Sequence, residues 1–384
     1  MMPRVRNPFR FGDLALDEAF TDRDSELRTL EADILNGQNV VILAPRRYGK
    51  SSLVWRAAQR LTAKKVLVAQ VDLMTAATKE QLAAKLAQAI YEEIASPLYR
   101  ARERAANVFR SLRITPTMTL DPVDGSVRFS FTAGYATEDV DATLERLLQL
   151  PAELSAERRR RVCLVFDEFQ EVLGLDPVLP ALMRAVFQAQ PEVAHVYLGS
   201  KRAMMAKLFN DENEPFWRSA KLMELGVIAP DDFAPFIRAR FDATGRLIGP
   251  DTLTRVFETT HGHPYATQEL CYHLWEETSA RRAAGQNELE AAIDRVLQSE
   301  NAHFTLIWDR ASRVQRATLQ ALAAEPLVAA TSREFRRRHG LPGGSSVQRA
   351  LDALVAEELV IREGAGSYRI AEPFLPEWIL RLPA

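Results

Sequence analysis

The sequence predicts an α/β fold in which a doubly wound parallel sheet is followed by a helical lid and a C-terminal winged helix-turn-helix domain. Three observations support this. An apolar strand runs directly into a glycine-containing loop and a helix start near residue 50. Further apolar strands alternate with helical segments, which is typical of parallel sheets with right-handed crossovers. Beyond residue 310, short helical segments precede two strands that flank a glycine-rich turn.

The composition sets the broad class of the protein. The 384 residues are enough for two or three domains. A net charge of −2 means that any nucleic-acid surface must be local. Cys163 and Cys271 lie inside apolar patterns, which disfavours a disulfide framework or a zinc site. The sequence has no apolar run of the roughly 18 residues of a membrane span and no signal-peptide core, so we expect a soluble, cytoplasmic protein without a membrane partner.

We expect three domains, and the first begins with a helix beside a short strand. The first domain covers residues 1–228, the helical lid 229–308 and the winged helix 309–384. From Asp24 onward, leucines and an isoleucine recur at helical spacing. The strand Val40–Leu43 follows, and its apolar, β-branched composition predicts burial.

The loop after this strand closely fits the phosphate-binding pattern G-x-x-x-x-G-K-[ST], with Ala44 in the first glycine position. Gly49 lets backbone N–H groups converge on an anion, and the following helix N-terminus adds its positive dipole end. Lys50 is expected to reach the β- and γ-phosphates of ATP, and the Ser51 hydroxyl to ligate Mg²⁺. Ala44 requires ordinary backbone angles at the loop entrance. The predicted nucleotide-binding residues of the loop are Ala44, Pro45, Arg46, Arg47, Tyr48, Gly49, Lys50, Ser51 and Ser52.

Strands and helices continue to alternate after the loop. A second buried strand is predicted at Val66–Val71 and a long helix from Lys79 to about Val108. Residues 113–132 alternate around a turn at 121–125 and predict an inserted β-hairpin, which either covers the core edge or forms a functional tongue. A helix beginning near Glu138 then leads to the next strand.

A second chemical motif ends the strand that begins at Val162. Five apolar residues are followed by Asp167 and Glu168, as expected for a buried parallel strand that delivers two carboxylates to a phosphate site. Asp167 would hold Mg²⁺ through water, and Glu168 would orient and polarise the attacking water. The chain distance from Lys50 is typical of a sheet in which an extra strand separates the two motifs.

The remaining candidate residues of the nucleotide domain lie beside later strands. The next apolar strand ends at Ser200, which would contact the γ-phosphate or the lytic water. His195 at its other end is expected to be structural. Arg218 precedes the last predicted strand and would either neutralise γ-phosphate charge, in its own subunit or a neighbour's, or lie over Trp217 at the surface. The predicted catalytic residues are Lys50, Glu168, Ser200 and Arg218.

The C-terminal part divides into helices and a winged helix. Amphipathic helices with Asp231 and Asp251 as candidate caps form the lid. The third helix of the winged-helix domain is predicted to bury Val347, Leu351, Leu354 and Val355. Its exposed face is mixed in charge, so contact with double-stranded DNA and a structural or partner-docking role both remain open. The candidate DNA-binding residues are Arg336, Arg337, Arg338 and Arg349.

These motifs resemble those of the archaeal-type ATPases of the AAA+ and STAND superclass, whose layout is similar to that of the origin-recognition ATPases. The resemblance implies that Ser200 is a sensor residue and that Gly262 and Pro264 form a G-x-P turn whose proline packs against adenine. Ala44 departs from the glycine of the family, which leaves the entrance geometry of the loop open. The segments that carry the resemblance are Ala44–Leu53, Leu164–Gln170, Leu198–Ser200, Thr260–Pro264 and Tyr368–Trp378.

The resulting hypothesis is an ATPase that acts as a molecular switch, in which Mg²⁺-dependent ATP hydrolysis changes the angle between the nucleotide domain and the lid. The alternative is a nucleotide-gated DNA-binding or scaffolding protein that hardly turns over. Both accommodate a protein partner or a homo-oligomer.

Overall fold

The computed structural model describes residues 6–12, 20–21, 23–95, 114–120, 127–133, 140–363 and 366–383. The chain divides into two compact units. The sheet unit comprises Arg23–Arg46 and Lys50–Leu225. The C-terminal unit comprises Gly226–Ala384, the N-terminal segment and three loop residues, Arg47–Gly49.

The sheet unit alternates strands and helices as the sequence predicts. Its helices are α1 (Asp24–Leu35), α2 (Lys50–Ala63), α3 (Lys79–Ala89), α4 (Val140–Arg158), α5 (Val172–Leu175), α6 (Leu179–Gln188) and α7 (Arg202–Asn210). Its strands are β1 (Val40–Leu43), β2 (Leu67–Asp72), β3 (Ile114–Leu120), β4 (Val127–Ala133), β5 (Val162–Asp167), β6 (Val193–Gly199) and β7 (Lys221–Glu224).

Five of these strands form one parallel sheet in the order β2-β5-β6-β1-β7. Strand β6 separates β5 from β1, as expected from the distance between the two chemical motifs. Strands β1 and β6 are buried at every residue, and β5 at every residue but its last, because they are central strands with apolar side chains on both faces. The parallel order brings the ends of β1, β5 and β6 to one edge of the sheet.

The predicted hairpin is present, and the helix predicted before it is described as far as Ala95. Strands β3 and β4 pair antiparallel, with Ile114 opposite Ala133, and β4 runs alongside α3. The predicted turn at 121–125 and the helix from residue 96 to 108 lie outside the described residues. Helix α3 ends at Ala89 and continues as a π-helical turn, Ile90–Ala95.

The C-terminal unit contains helices and short strands around a second core. Its helices are α8 (Pro230–Ala243), α9 (Pro250–Thr260), α10 (Pro264–Glu277), α11 (Gln286–Arg310), α12 (Arg313–Ala324), α13 (Arg333–Arg338), α14 (Gly344–Ala356) and α15 (Leu375–Leu380). Its strands are β8 (Leu247–Ile248), β9 (Ala283–Ala284), β10 (Val328–Ala329), β11 (Val360–Glu363) and β12 (Ser367–Ile370), of which the last three form a sheet in the order β10-β12-β11.

Two details of the C-terminal prediction are wrong. Helices α8 and α9 begin with a proline, so Asp231 and Asp251 lie in the first turn rather than at the cap, where they face the positive end of the helix dipole. Val355 is 37% exposed, whereas Val347, Leu351 and Leu354 are buried. The core needs only the narrow stripe at positions i, i+4 and i+7 of α14, and Val355 lies at its margin.

Two expectations from composition can be compared with the described chain. Both cysteines are free and buried, Cys163 in β5 and Cys271 in α10. Within the described residues, no helix combines the length and apolar character needed to cross a membrane.

Candidate functional site

The phosphate loop follows β1 and ends at the first turn of α2. Ala44 is buried and has no positive φ, so the loop entrance is made with ordinary backbone angles, whereas Gly49 has φ +84°. Lys50 is 6% exposed, and its Nζ donates to Ala44 O at 2.8 Å and to Pro45 O at 3.0 Å. The loop therefore folds around a buried ammonium group at the start of a helix, which is an arrangement suited to binding phosphate.

Ser51 and Asp167 meet at the same edge of the sheet. The Ser51 hydroxyl donates to Asp167 Oδ2 at 3.1 Å. Burial raises the pKa of Asp167, and the hydrogen bonds from Ser51 and from Glu168 N oppose that rise. No cluster of three or more His, Cys, Asp or Glu side chains that would hold a metal occurs among the described residues. Hydroxyl and carboxylate oxygens are ligands that Mg²⁺ accepts, so Ser51 and Asp167 are the residues that would hold it at this edge of the sheet.

Glu168 adopts a left-handed backbone conformation, φ +50°, directly after β5. Its Oε2 accepts hydrogen bonds from Gln170 Nε2 at 2.5 Å and from Ser200 Oγ at 2.7 Å. Burial disfavours the charged form, but these two bonds and the Lys50 ammonium outweigh it, so the pKa of Glu168 lies below its ordinary value. Glu168 is thus an ionised carboxylate that contacts Ser200, as its predicted role as a base requires.

Within its own chain, Arg218 does not lie beside the other predicted catalytic residues, Lys50, Glu168 and Ser200. It lies just before β7, whose first residue, Lys221, pairs with Val40 at the amino end of β1. The predicted catalytic residues lie at the carboxyl ends of the strands, at the opposite edge. The Arg218 guanidinium lies 5.1 Å from the Trp217 ring centroid. Action on a neighbouring copy's nucleotide stays a prediction.

His195 is structural in character, as expected. It lies near the amino end of β6 and is fully buried, and both its backbone N–H and its ring Nδ1 contact Asn39 Oδ1. Burial lowers its pKa to about 3, so the ring is neutral at physiological pH. It is separated from Ser200 by the length of the strand.

The crown of the phosphate loop, which we define as residues Arg47–Gly49, groups with the C-terminal unit. Arg47 has φ +65°, and its guanidinium lies 3.6 Å from Glu300 and 4.4 Å from the centroid of the Tyr265 ring. The Tyr48 ring packs edge-on against His263 at 4.6 Å. A non-glycine residue with positive φ carries strain, which these contacts offset.

The G-x-P turn is built on a close backbone approach. Gly262 has φ +69°, and a Cβ atom there would collide with the carbonyl oxygen of Ile228. Pro264 occupies the first position of α10, and the side chain of His263 accepts a hydrogen bond from Ala266 N. This turn therefore requires glycine at position 262, because any side chain would clash with the backbone. The predicted contact of Pro264 with adenine stays a prediction.

Glu269 is the most unusual titratable group near Arg47. It is 1% exposed, and its Oε1 has no hydrogen-bond partner among the described residues. Burial and the neighbouring Glu300 raise its pKa to about 8, with Glu372 acting in the same direction and Arg47 against it. Glu269 is therefore largely protonated at neutral pH, which reduces repulsion among the three carboxylates.

We expect Glu269→Gln to stabilise the protein increasingly as the pH rises. Between the unfolded pKa near 4.5 and the folded value near 8, the native state binds the additional proton, so the stability of the parental protein falls with rising pH. Glutamine removes this dependence. The difference in unfolding free energy should grow by up to about 2 kcal/mol between pH 6 and 7.5.

Urea unfolding at several pH values measures this difference. Glu276→Gln, at an exposed position of the same helix, is the control and should show no such growth. A constant difference between Glu269→Gln and the parental protein would contradict the protonated state of Glu269.

The four arginines of the winged helix are not equivalent. Arg336 donates to Thr331 O and Pro342 O, and Arg338 forms ion pairs with Glu325 and Glu334. Arg337 and Arg349 are exposed, and among the described residues neither forms an ion pair, although Arg349 Nε donates a long hydrogen bond to Ser345 O at 3.4 Å. Two of the four predicted DNA contacts are therefore already used to hold the domain together.

Sequence reasoning missed two features of the site. Gln170 carries no role in the sequence motif, although it contacts Glu168. Arg47 was expected only to line the loop, whereas it lies among carboxylates of the C-terminal unit. Gln170 follows Asp167 and Glu168 beyond the end of β5, where one more polar residue is too weak a signal to assign a contact.

Two family models match the chain. One is described as an ATPase domain predominantly from Archaea and matches residues 20–270. The other is described as a probable winged helix domain and matches residues 302–381. A comparison with curated proteins gives no significant match.

Solved structures show the same fold along nearly the whole chain. The Walker-type ATPase PABY2304 of Pyrococcus abyssi has a TM-score of 0.64 and 17% identity, covering 95% of this chain and 97% of that chain. The Aeropyrum pernix ORC2 protein in its ADPNP–ADP complexes has a TM-score of 0.55 and 14% identity, with 97% and 96% covered. At these identities the likeness establishes the fold alone. Because the ATPase model matches well over half of the residues, the chain belongs to the family of ATPase domains found predominantly in Archaea, and it carries a C-terminal winged helix.

Proposed function

We propose that this protein is an Mg²⁺-dependent ATPase that acts as a nucleotide-dependent molecular switch of the AAA+/STAND type. The observation that carries the proposal is the convergence of the buried Lys50, the Ser51–Asp167 pair and the Glu168–Ser200 pair at one sheet edge. The complex of the A. pernix ORC2 protein with ADPNP and ADP supports a nucleotide as the ligand of this fold.

Each group has a part in the proposed reaction. The loop N–H groups and Lys50 bind the phosphates, and Ser51 and Asp167 hold the cation. Mg²⁺, when bound, neutralises the charge of the β- and γ-phosphate oxygens. Glu168 accepts a hydrogen bond from the attacking water and orients it toward the γ-phosphorus. Ser200 fixes the Glu168 carboxylate.

The loop crown supports the switch part of the proposal. Arg47–Gly49 are covalently part of the phosphate loop, yet they group with the C-terminal unit, where Arg47 pairs with Glu300 of α11. A nucleotide that reshapes the loop would therefore also act on the contacts of α11.

Steady-state phosphate release tests the proposal. The protein is assayed with ATP and Mg²⁺, with excess chelator, and with or without double-stranded DNA. We expect turnover that requires Mg²⁺. Tight ATP binding with negligible turnover under every condition would favour the alternative, a nucleotide-gated DNA-binding or scaffolding protein.

For the winged helix we propose DNA contact through Arg337 and Arg349, the two exposed arginines that form no ion pair among the described residues. If Arg337 and Arg349 contact phosphates, replacing both with alanine should weaken DNA binding and flatten the dependence of log K on log salt by about 2, at ~0.9 per phosphate. The net charge of −2 gives no attractive field from the rest of the molecule, so affinity should be modest and independent of sequence.

Fluorescence anisotropy with labelled duplex at several salt concentrations measures this slope. Arg338→Ala is the matched control, because its guanidinium is held by Glu325, and it should leave the slope unchanged while lowering stability. If the parental protein does not bind DNA even at low salt with ATP and Mg²⁺, the winged helix is better explained as a docking domain for a protein partner or a second copy.

A further inference from the structure

Glu168 is held through only one of its two carboxylate oxygens. Oε2 accepts from Gln170 Nε2 and Ser200 Oγ, and Ser200 N lies 3.4 Å from the same atom. No hydrogen bond from a described residue reaches Oε1. Among the described residues, the hydrogen-bond donors therefore converge on Oε2, and Oε1 can accept a hydrogen bond from a water molecule.

The orientation of the Gln170 amide is fixed by its neighbours. Gln170 is fully buried in the 3₁₀ turn Phe169–Glu171. The side-chain atom nearest Glu168 Oε2 also lies 3.3 Å from Glu171 Oε1. Because both neighbours present carboxyl oxygens, this atom is assigned as the amide nitrogen, and each of its two protons has an acceptor.

The surroundings hold this amide in place. Phe169 packs against Tyr197 at 4.6 Å and Phe216 at 5.1 Å, measured between ring centroids, which anchors the turn in the core. Lys201 Nζ lies 2.8 Å from Glu171 Oε1. A Cβ atom at Gly199 would lie 2.8 Å from Gln170 Oε1 and closer still to the Met205 side chain, so the amide packs directly against the end of β6.

We propose that Gln170 is a positioning residue for ATP hydrolysis, which together with Ser200 holds Glu168 Oε2 so that Oε1 faces the attacking water. The proposal rests on the ATPase function proposed above. The buried Gln170 Oε1 has no hydrogen-bond partner among the described residues. A buried polar atom left unpaired is costly, so the contribution of this side chain lies in the two hydrogen bonds of its Nε2 to Glu168 and Glu171.

Gln170→Met tests the proposal, because methionine keeps the length of the side chain and removes the donor. We expect kcat to fall about tenfold while KM and the affinity for ATP stay unchanged, since the Glu168 carboxylate is misplaced but the loop is intact.

Gln190→Met is the matched control. Gln190 is also buried, donates one hydrogen bond to Leu148 O at 2.9 Å and has an unpaired Oε1, but it lies at the end of α6. Its substitution should leave kcat unchanged.

A double-mutant cycle separates positioning from general packing. If Gln170 acts through Glu168, adding Gln170→Met to Glu168→Gln should not lower kcat further. Additive losses in the double variant would overturn the proposal. An unchanged kcat in Gln170→Met would also overturn it. So would a raised kcat in Gln170→Met, because the amide would then restrain Glu168 rather than position it. Gln170→Asn, whose shorter amide does not reach Glu168, gives the same comparison if the methionine variant fails to fold.

A readout without nucleotide distinguishes this proposal from the ATPase function itself. In protein labelled with ¹⁵N in glutamine side chains, Glu168→Ala should move the Gln170 amide resonance and leave that of Gln190 in place. An unmoved Gln170 resonance overturns the contact regardless of turnover. A protein that shows this shift but neither binds nor hydrolyses ATP overturns the proposed function, and with it the positioning role.

Discussion

Lys50→Ala is expected to weaken ATP binding by at least about tenfold, because it removes a charge-assisted phosphate contact worth ~2–4 kcal/mol. The structure sharpens this expectation, since the Lys50 ammonium is already buried within the loop on Ala44 O and Pro45 O. Binding therefore exchanges backbone partners for phosphate oxygens without moving a charge out of water. Titration calorimetry with a non-hydrolysable ATP analogue measures the change.

Lys64→Ala is the control for loss of charge near α2. Lys64 follows the far end of that helix and pairs with Glu31 at 2.6 Å, so its removal should leave ATP affinity unchanged. An unchanged affinity of Lys50→Ala for ATP would contradict the assignment of this segment as a phosphate-binding loop. Equal losses in both variants would show that net charge, rather than the contact, determines binding.

Glu168→Gln is expected to retain ATP affinity while turnover falls on the order of a hundredfold or more. A glutamine can present its carbonyl oxygen to Gln170 Nε2 and Ser200 Oγ, so the local contacts persist. What is lost is the carboxylate that accepts from the attacking water. Single-turnover phosphate release, measured beside equilibrium binding, separates the two effects.

Asp72→Asn is the matched control, because it also removes a carboxylate charge at the carboxyl end of a strand. Asp72 pairs in register with Asp167, and it accepts a hydrogen bond from Met74 N. Its substitution should change turnover by no more than a few fold, roughly within the range of a surface charge effect. A Glu168→Gln variant with parental turnover would exclude Glu168 from the chemistry, and one that no longer binds ATP would make its role structural.

Most of the candidate site was predictable from local patterns. Lys50 and Ser51 follow an apolar strand within ten residues, and Asp167 and Glu168 end another. In both cases, the strand, turn and helix start are set by neighbouring residues, because burial of an apolar run and the conformational freedom of Gly49 are local properties. The parallel order of the sheet then follows from the alternation of strands and helices.

The winged helix shows where local pattern fails. The short helices and the two strands after them occur in the order that the sequence predicts, because their apolar spacing is regular. The four arginines are equivalent in the sequence, however, and only packing reveals that Arg336 and Arg338 are bound to groups of their own domain. Charge in a sequence does not distinguish an exposed side chain from one already paired.

The fold class, the phosphate loop and the acidic pair could be predicted from the sequence, since each depends on residues that are close along the chain. The distant groups that meet them are known only from the tertiary structure. It joined Gln170 and Ser200 on one oxygen of Glu168, placed Arg218 at the opposite edge of the sheet and set Arg47 among carboxylates. These contacts depend on strand order and register, which arise from packing of the whole core and leave no periodic signal in the chain.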